Sequence, residues 1–323
     1  MNIEKKNLKY HYRVYGLTVE SEVLLSELMV AGENELEKID VNINYGIMPD
    51  YIRDAVVQEE NYRLKKNEMW FSIKEVANYY IYDGNSIIVE PCVDADPAQV
   101  KAFLLGSALG LLLIQRNIVA IHGGTILIHG QAVIFTGDTG AGKSTMTAVF
   151  RERGYYFMAD DVSVIGEFKS FNHAIYPGYP QQKLCRDAIK LMGYDPDSFV
   201  KIDDDREKHI IPVRSSFVSE PCTLGAIFEL SKWEGANVEI EEVTGSEKII
   251  TLMKNLYRIE ATHFVGLNRE YFRKCVEIAK DIPIYRIKRP NDKYTVDELV
   301  DIVLKAMDKK EDKSSVSYIG KGG

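Results

Sequence analysis

The chain has 323 residues, 46% of them hydrophobic and 27% charged, with only 23 Gly and 10 Pro; this excludes disordered, collagenous and repeat-biased classes and leaves enough chain for two domains. Its 40 Lys and Arg against 48 Asp and Glu give a formal net charge of −8, so the molecule as a whole repels phosphate backbones and anionic lipid, and neither nucleic acid nor a membrane is expected as a partner. Cys92, Cys185, Cys222 and Cys275 are far apart, with no Cys-x-x-Cys pair and no zinc-ligand spacing, and read as four reduced thiols of a cytoplasmic protein.

Met1 to Tyr10 is polar and lysine-rich, with no apolar stretch behind its charges, so it does not work as a secretory signal. From Leu8 to Pro91 the pattern is strand-like: Tyr10, Tyr12 and Val14 alternate with polar residues, as do Val41, Ile43 and Tyr45, and again Met69, Phe71 and Ile73. Tyr79 to Tyr82, Asp83-Gly84 and Ser86 to Val89 predict a hairpin with a tight turn. Residues 1–94 thus read as a small, mostly antiparallel β-rich domain. Having no catalytic constellation of its own, it is left by elimination with substrate docking or oligomer contacts. Its tyrosines Tyr79, Tyr80 and Tyr82 suit either a peptide-docking surface or, for half of them, the β core.

Asp94, Asp96 and Pro97 break the run, and Ala98 to Arg116 predicts a helix. Its apolar part, Phe103 to Ile114, is shorter than the ~18–20 residues that cross a bilayer and reads as buried. Strands then alternate with helices: Ile118 to Ile121, Thr125 to Ile128, Ala132 to Thr136, a helix from Lys143 to Arg153, then Phe157 to Ala159 and Val162 to Ile165. Thr223 to Leu230 and Val238 to Val243 predict strands, Lys248 to Tyr257 and Glu270 to Lys280 helices, Ile284 to Ile287 a last strand, and Val296 to Met307 a closing helix. Residues 95–307 therefore read as an α/β domain, and Asp308 to Gly323, charged and then Ser- and Gly-rich, as a flexible tail.

The informative segment is Val133-Ile134-Phe135-Thr136 followed by Gly137-Asp138-Thr139-Gly140-Ala141-Gly142-Lys143-Ser144-Thr145. It matches the Walker A pattern G-x-x-x-x-G-K-S/T, with a strand before and a helix after. Glycines let the backbone curl with its N–H groups inward, the helix N-terminus adds positive potential, Lys143 reaches the β- and γ-phosphates, and Ser144 ligates magnesium. ATP and Mg²⁺ are the cofactors this loop serves; it does not say where the phosphate goes.

Asp160-Asp161 closes the next apolar strand. Carboxylates at a strand's C-terminal end face the same crevice as the loop, where one can hold magnesium and the other accept a proton. The alternatives are a solvated acidic turn or a plain Walker B site. Upstream, Ile121-His122-Gly123-Gly124 sits between two apolar runs, where His122 is either a satisfied turn residue or a partner of a carboxylate or of the phosphoryl group. Among the later cations Lys183, Lys208, Arg214 and Arg258, we single out Lys183, after the turn that follows the acidic strand, and then Arg258, as stabilisers of transferring charge. Asp203-Asp204-Asp205, with Arg206 and Lys208 close by, reads as a solvated charged loop.

Together, strand-His122-Gly123, Thr136 through Ser144, Arg153-Gly154-Tyr155 and Ala159-Asp160-Asp161 resemble the kinase domain of bacterial HPr kinase/phosphorylase and its relatives, over Ile118 to Ile165. That resemblance implies a P-loop fold related to phosphoenolpyruvate carboxykinase, ATP with magnesium as donor and a protein seryl hydroxyl as acceptor. It implies that Asp160 is the base, that Asp161 supports magnesium or phosphate, and that His122 assists the base; homo-oligomers are compatible with it. Where that family carries a Gly-rich signature with an E-I-R-G core, associated with phosphorolysis, this chain has Tyr176-Pro177-Gly178-Tyr179-Pro180-Gln181-Gln182-Lys183-Leu184. This segment, with Tyr12-Arg13-Val14-Tyr15-Gly16-Leu17 and Arg286-Ile287-Lys288-Arg289-Pro290, resembles HPr-kinase-like proteins of peptide natural products, including lasso-peptide precursor kinases. The expected function is transfer of the γ-phosphoryl group to a serine of a peptide or protein; the alternatives are a nucleotide-sensing module without transfer and a small-molecule hydroxyl kinase.

Overall fold

The structure, a computed structural model, describes residues 8–203, 207–266, 268–291 and 295–319. The lysine-rich start before Leu8, the Asp204-Asp205-Arg206 run and the last four residues lie outside it. The described residues form a mixed α/β fold with two eight-stranded sheets.

The first sheet uses β1 (Tyr10–Val14), β2 (Leu17–Ser21), β3 (Met29–Val30), β4 (Val41–Tyr45), β5 (Tyr62–Lys65), β6 (Glu68–Ile73), β7 (Ala77–Tyr82) and β8 (Ser86–Pro91), in the order β3-β1-β2-β4-β8-β7-β6-β5. It is antiparallel except where β4 lies parallel to β2 and β8. Alternation decides its faces: β7 buries Ala77, Tyr79 and Ile81, while Tyr80 and Tyr82 stack on each other at 4.8 Å on the opposite side. That second face is partly covered by α1 (Asp50–Val57), whose Ile52 and Ala55 pack with Met48 on Trp70; the sequence reading held no helix here. The Asp83-Gly84 turn forms as expected, with φ of 53° and 65°.

The expected helix after Asp94 is interrupted. It comprises α2 (Pro97–Phe103), capped by Asp96 Oδ1 accepting the Ala98 N–H at 2.9 Å, a π turn at Leu104–Ala108, and α3 (Leu109–Gln115). By length and composition alone, Pro97–Gln115 is able to cross a membrane, a longer run than Phe103 to Ile114 suggested; half of it is buried in this fold. Its leucines join one apolar cluster with Tyr12, Tyr15 and Tyr79 of the first sheet and Val162, Val164 and Tyr257 beyond it.

The second sheet begins with β9 (Val119–Ile128) and β10 (Gln131–Gly137), which leads into α4 (Lys143–Glu152), then β11 (Tyr156–Ala159), β12 (Val162–Phe168) and β13 (Phe171–Tyr176). A small three-stranded sheet follows, from β14 (Gln181–Cys185), β15 (Val200–Asp203) and β16 (Lys208–Pro212), with α5 (Arg186–Leu191) after its first strand. The large sheet resumes with β17 (Cys222–Trp233) and β18 (Glu239–Val243), then α6 (Glu247–Lys254), α7 (Ile259–Val265), α8 (Arg269–Asp281), β19 (Ile284–Pro290) and α9 (Val296–Ile319). Its order is β10-β9-β12-β13-β17-β19-β18, and because β17 also runs parallel to β10, the path closes on itself. The closing helix runs past Met307, where the sequence suggested a flexible tail, because no Gly or Pro interrupts the chain before Gly320.

The sequence placed His122-Gly123-Gly124 in a turn between two strands, but all three lie inside the single strand β9. Glycines are needed there because neighbours press in: a Cβ on Gly123 would meet Phe135 O at 2.4 Å, and one on Gly124 would meet Thr147 Cγ2 at 2.8 Å. Gly123→Ala is therefore expected to lower the unfolding free energy by about 2–3 kcal/mol, read as a lower urea midpoint at unchanged slope.

Candidate functional site

The glycine-rich loop joins β10 to α4. Gly137, Gly140 and Gly142 have φ of 126°, 79° and 111°, all unfavourable for a side chain. At Gly137 space is lacking as well, since a Cβ would stand 2.1 Å from Leu230 O on the adjacent β17. Lys143 folds over the loop and donates from Nζ to Gly137 O at 2.8 Å and Asp138 O at 3.1 Å. Burial pulls its pKa below the usual lysine value, against the attraction of Asp161. On the outer side Arg289 of β19 donates from Nε to Ala141 O at 2.8 Å and from Nη2 to Gly140 O at 3.3 Å, clasping the loop by its carbonyls. Lys254, at the end of α6, reaches Asp138 Oδ1 at 3.2 Å.

A buried network ties the loop strand to what lies beside it. Thr136 Oγ1 is 2.8 Å from His122 O and 3.0 Å from Asn255 Oδ1. Asn255 Nδ2 donates to Glu229 Oε1 at 3.0 Å, and Arg286 Nε donates to Glu229 Oε2 at 2.9 Å. Glu229 is nearly buried, and its charge is tolerated because both oxygens are bonded.

The acid pair links β11 to β12. Asp161 has φ of 65°, and its carbonyl accepts the Gly123 N–H at 3.1 Å. His122 Nδ1 lies 3.2 Å from that carbonyl and 3.4 Å from Asp161 Oδ1, so a proton on Nδ1 is held by both. Burial alone would raise the Asp161 pKa, but His122, Lys183, Lys208 and Lys143 outweigh it and hold the carboxyl below its usual value. Burial keeps His122 below the usual histidine pKa, and the Asp161 charge offsets only part of this.

Asp160 is the other kind of carboxylate. Burial, and then the Asp161 charge, push its pKa up to about 6. Its Oδ2 accepts the Lys183 N–H at 2.9 Å, while Oδ1 is sealed from solvent with no hydrogen-bond partner. This corrects the expectation that both carboxylates face the crevice: Asp161 lines it and Asp160 stands behind it.

These parts surround an open cleft of about 890 Å³. The expected loop residues Gly137, Asp138, Thr139, Gly140, Gly142, Lys143, Ser144 and Thr145 line it, with His122, Asp161, Lys183 and Arg258; Ala141 is buried behind. Arg258 is held there by Nη2 donating to Ser107 Oγ in the π turn at 2.6 Å. Sequence reasoning missed Arg289, Lys254 and Asn255 as parts of the site, and passed over Lys208, whose strand pairs with the one bearing Lys183. Six Lys and Arg against four Asp and Glu line the cleft, so it is locally positive in a protein of net charge −8. Among the described residues no three His, Cys, Asp or Glu side chains cluster as a metal cage. Ser144 and Asp161 in one cleft instead suit a hard cation that keeps waters and takes phosphate oxygens as ligands.

No family model matches the chain, and no curated protein matches it. Among solved structures, the chain is similar to the Hpr(Ser) kinase/phosphatase from Coxiella burnetii, at 13% identity and a TM-score of 0.33, over 60% of this chain and 98% of that one.

Proposed function

We propose that the chain is an ATP- and magnesium-dependent kinase that passes the γ-phosphoryl group to a serine hydroxyl of a peptide or protein. The observation that carries this reading is the pairing, across β9, of a glycine loop clasped by Lys143 and Arg289 with a carboxylate whose pKa is raised to about 6 and whose one free oxygen has no partner. Backbone N–H groups from Thr139 to Ser144, with Lys143, hold the phosphates; Ser144 and Asp161 are the residues that would hold magnesium, which when bound would neutralise charge on the phosphate oxygens. Asp160 takes the hydroxyl proton as the O–P bond forms and ADP leaves. Because Oδ2 is bonded to the Lys183 amide and Oδ1 is sealed, the carboxylate has to turn as a unit, giving up the amide bond, to bring an oxygen to the proton as the acceptor enters. His122 holds Asp161, while Lys183, Lys208 and Arg258 face the transferring charge.

The sealed Oδ1 favours one other reading, a nucleotide-sensing module without transfer. The deciding experiment incubates purified protein with γ-labelled ATP, Mg²⁺ and a panel of acceptors: HPr, a Ser-ending precursor peptide, free serine and water alone. Label on a peptide or protein is the expected result. Label on free serine only would make it a small-molecule kinase, and nucleotide binding with no label moved would leave the sensing module.

A further inference from the structure

The motif Tyr12 to Leu17 has no part in the chemistry above, yet its turn reaches the acid pair. Tyr15 and Gly16 join β1 to β2 with φ of 56° and 75°, so a bulky tyrosine occupies a left-handed conformation that glycine or asparagine enters at less cost. Strain of this kind persists only where the surroundings fix it. Here they belong to the end of β13 and the segment that follows it. The Tyr15 N–H donates to Pro177 O at 2.9 Å, and a Cβ on Gly16 would stand 2.4 Å from the Tyr176 ring. Gly178 fills the next layer: its N–H donates to Met158 O at 2.9 Å, and a Cβ there would lie 3.3 Å from Tyr15 Cε1 on one side and 3.5 Å from Ala159 Cβ on the other. One glycine therefore separates the Tyr15 ring from the strand end that carries Asp160. Tyr15 is 3% exposed and joins Tyr179, Tyr257 and Val162 in a single apolar cluster, and the Tyr257 ring lies 5.9 Å from that of His122.

We infer that Tyr15 is a positioning residue of the acid pair: its ring, delivered by the first sheet, seals the back of the Ala159–Asp161 strand end, so that water does not reach Asp160 and compete with the acceptor hydroxyl. The consequence rests on the kinase reading, whereas the wall itself does not. With the wall in place the acceptor O–H loses its proton to Asp160 as its oxygen bonds phosphorus, and the bond from phosphorus to the bridging oxygen breaks, ADP taking the electron pair. With water admitted the same bonds change and the product is inorganic phosphate.

The test compares Tyr15→Asn with Tyr15→Phe in the full chain. Asparagine suits a left-handed turn, so it removes the ring without opposing the backbone; phenylalanine keeps the ring. In hydrogen exchange followed by mass spectrometry, Tyr15→Asn is expected to exchange about tenfold faster over 158–163 and 178–184, with 143–152 unchanged and Tyr15→Phe matching the wild type. The ratio of phosphate released to phosphoryl group transferred is expected to rise about tenfold in Tyr15→Asn alone. Unchanged exchange in Tyr15→Asn, or equal opening in Tyr15→Phe, would overturn the inference. Exchange requires no acceptor, so a wild-type protein that phosphorylates nothing would sink the kinase reading while exchange still decides this one. If Tyr15→Asn does not fold, Gly178→Val, which wedges the ring away from Ala159, is expected to give the same exchange pattern, and unchanged exchange there overturns the inference equally.

Discussion

Asp160→Asn is expected to lower phosphoryl transfer by about 10³-fold while leaving nucleotide affinity within about twofold. The amide cannot take a proton, but the side-chain hydrogen bond of Asp160 is with the Lys183 amide and not with the loop, and an Asn oxygen still accepts it. The same variant is expected to be the more stable protein in alkali. Asp160 titrates at about 6 in the fold against an ordinary 3.8, so the folded state binds the extra proton between those values and wild-type stability falls as pH rises through them. That displacement corresponds to about 3 kcal/mol as an upper figure. In protein free of magnesium and nucleotide, Asp160→Asn should therefore melt later than wild type at pH 8, with the difference gone by about pH 3–4. Full transfer by Asp160→Asn, with loss in Asp161→Asn at unchanged nucleotide binding, would reverse the two roles.

Lys143→Ala is expected to weaken ATP binding about a hundredfold, or about 2.8 kcal/mol, and to take transfer down with it. In the structure Lys143 already has two acceptors, the carbonyls of Gly137 and Asp138, so its charge is aimed inward along the loop before any phosphate arrives. Titration with a fluorescent ATP analogue measures the loss. Unchanged affinity would mean that the loop cradles no phosphate.

The parts of this site visible in the sequence are those whose chemistry is written in consecutive residues. Gly137 to Ser144 forms the expected curl because glycine spacing dictates left-handed backbone, and the acid pair ends a strand because Phe157-Met158-Ala159 is an apolar run. What escaped is set by distant neighbours. Gly123-Gly124 has the local signature of a turn, and only the approach of Phe135 and Thr147 makes it a strand interior. Lys208 looked like part of a solvated loop, because its partnership with β14 depends on a register that no local pattern announces. Arg289 and Asn255 are likewise ordinary residues until β19 and α6 bring them to the loop. The sequence singles out Asp160 but does not show that it stands behind the cleft wall.

Strand β9 pairs with β10 on one side and with both β11 and β12 on the other. The glycine loop that follows β10 and the acid pair that links β11 to β12 are thus mounted on opposite edges of one ten-residue strand, and their separation is counted in hydrogen-bonded rungs. A gauge of that kind does not stretch. Under the kinase reading proposed above, selectivity would work by reach: only a hydroxyl on a stem slim enough to enter to a fixed depth would meet the phosphorus, and changing that depth would require adding or deleting residues in pairs, so that the strand keeps its faces.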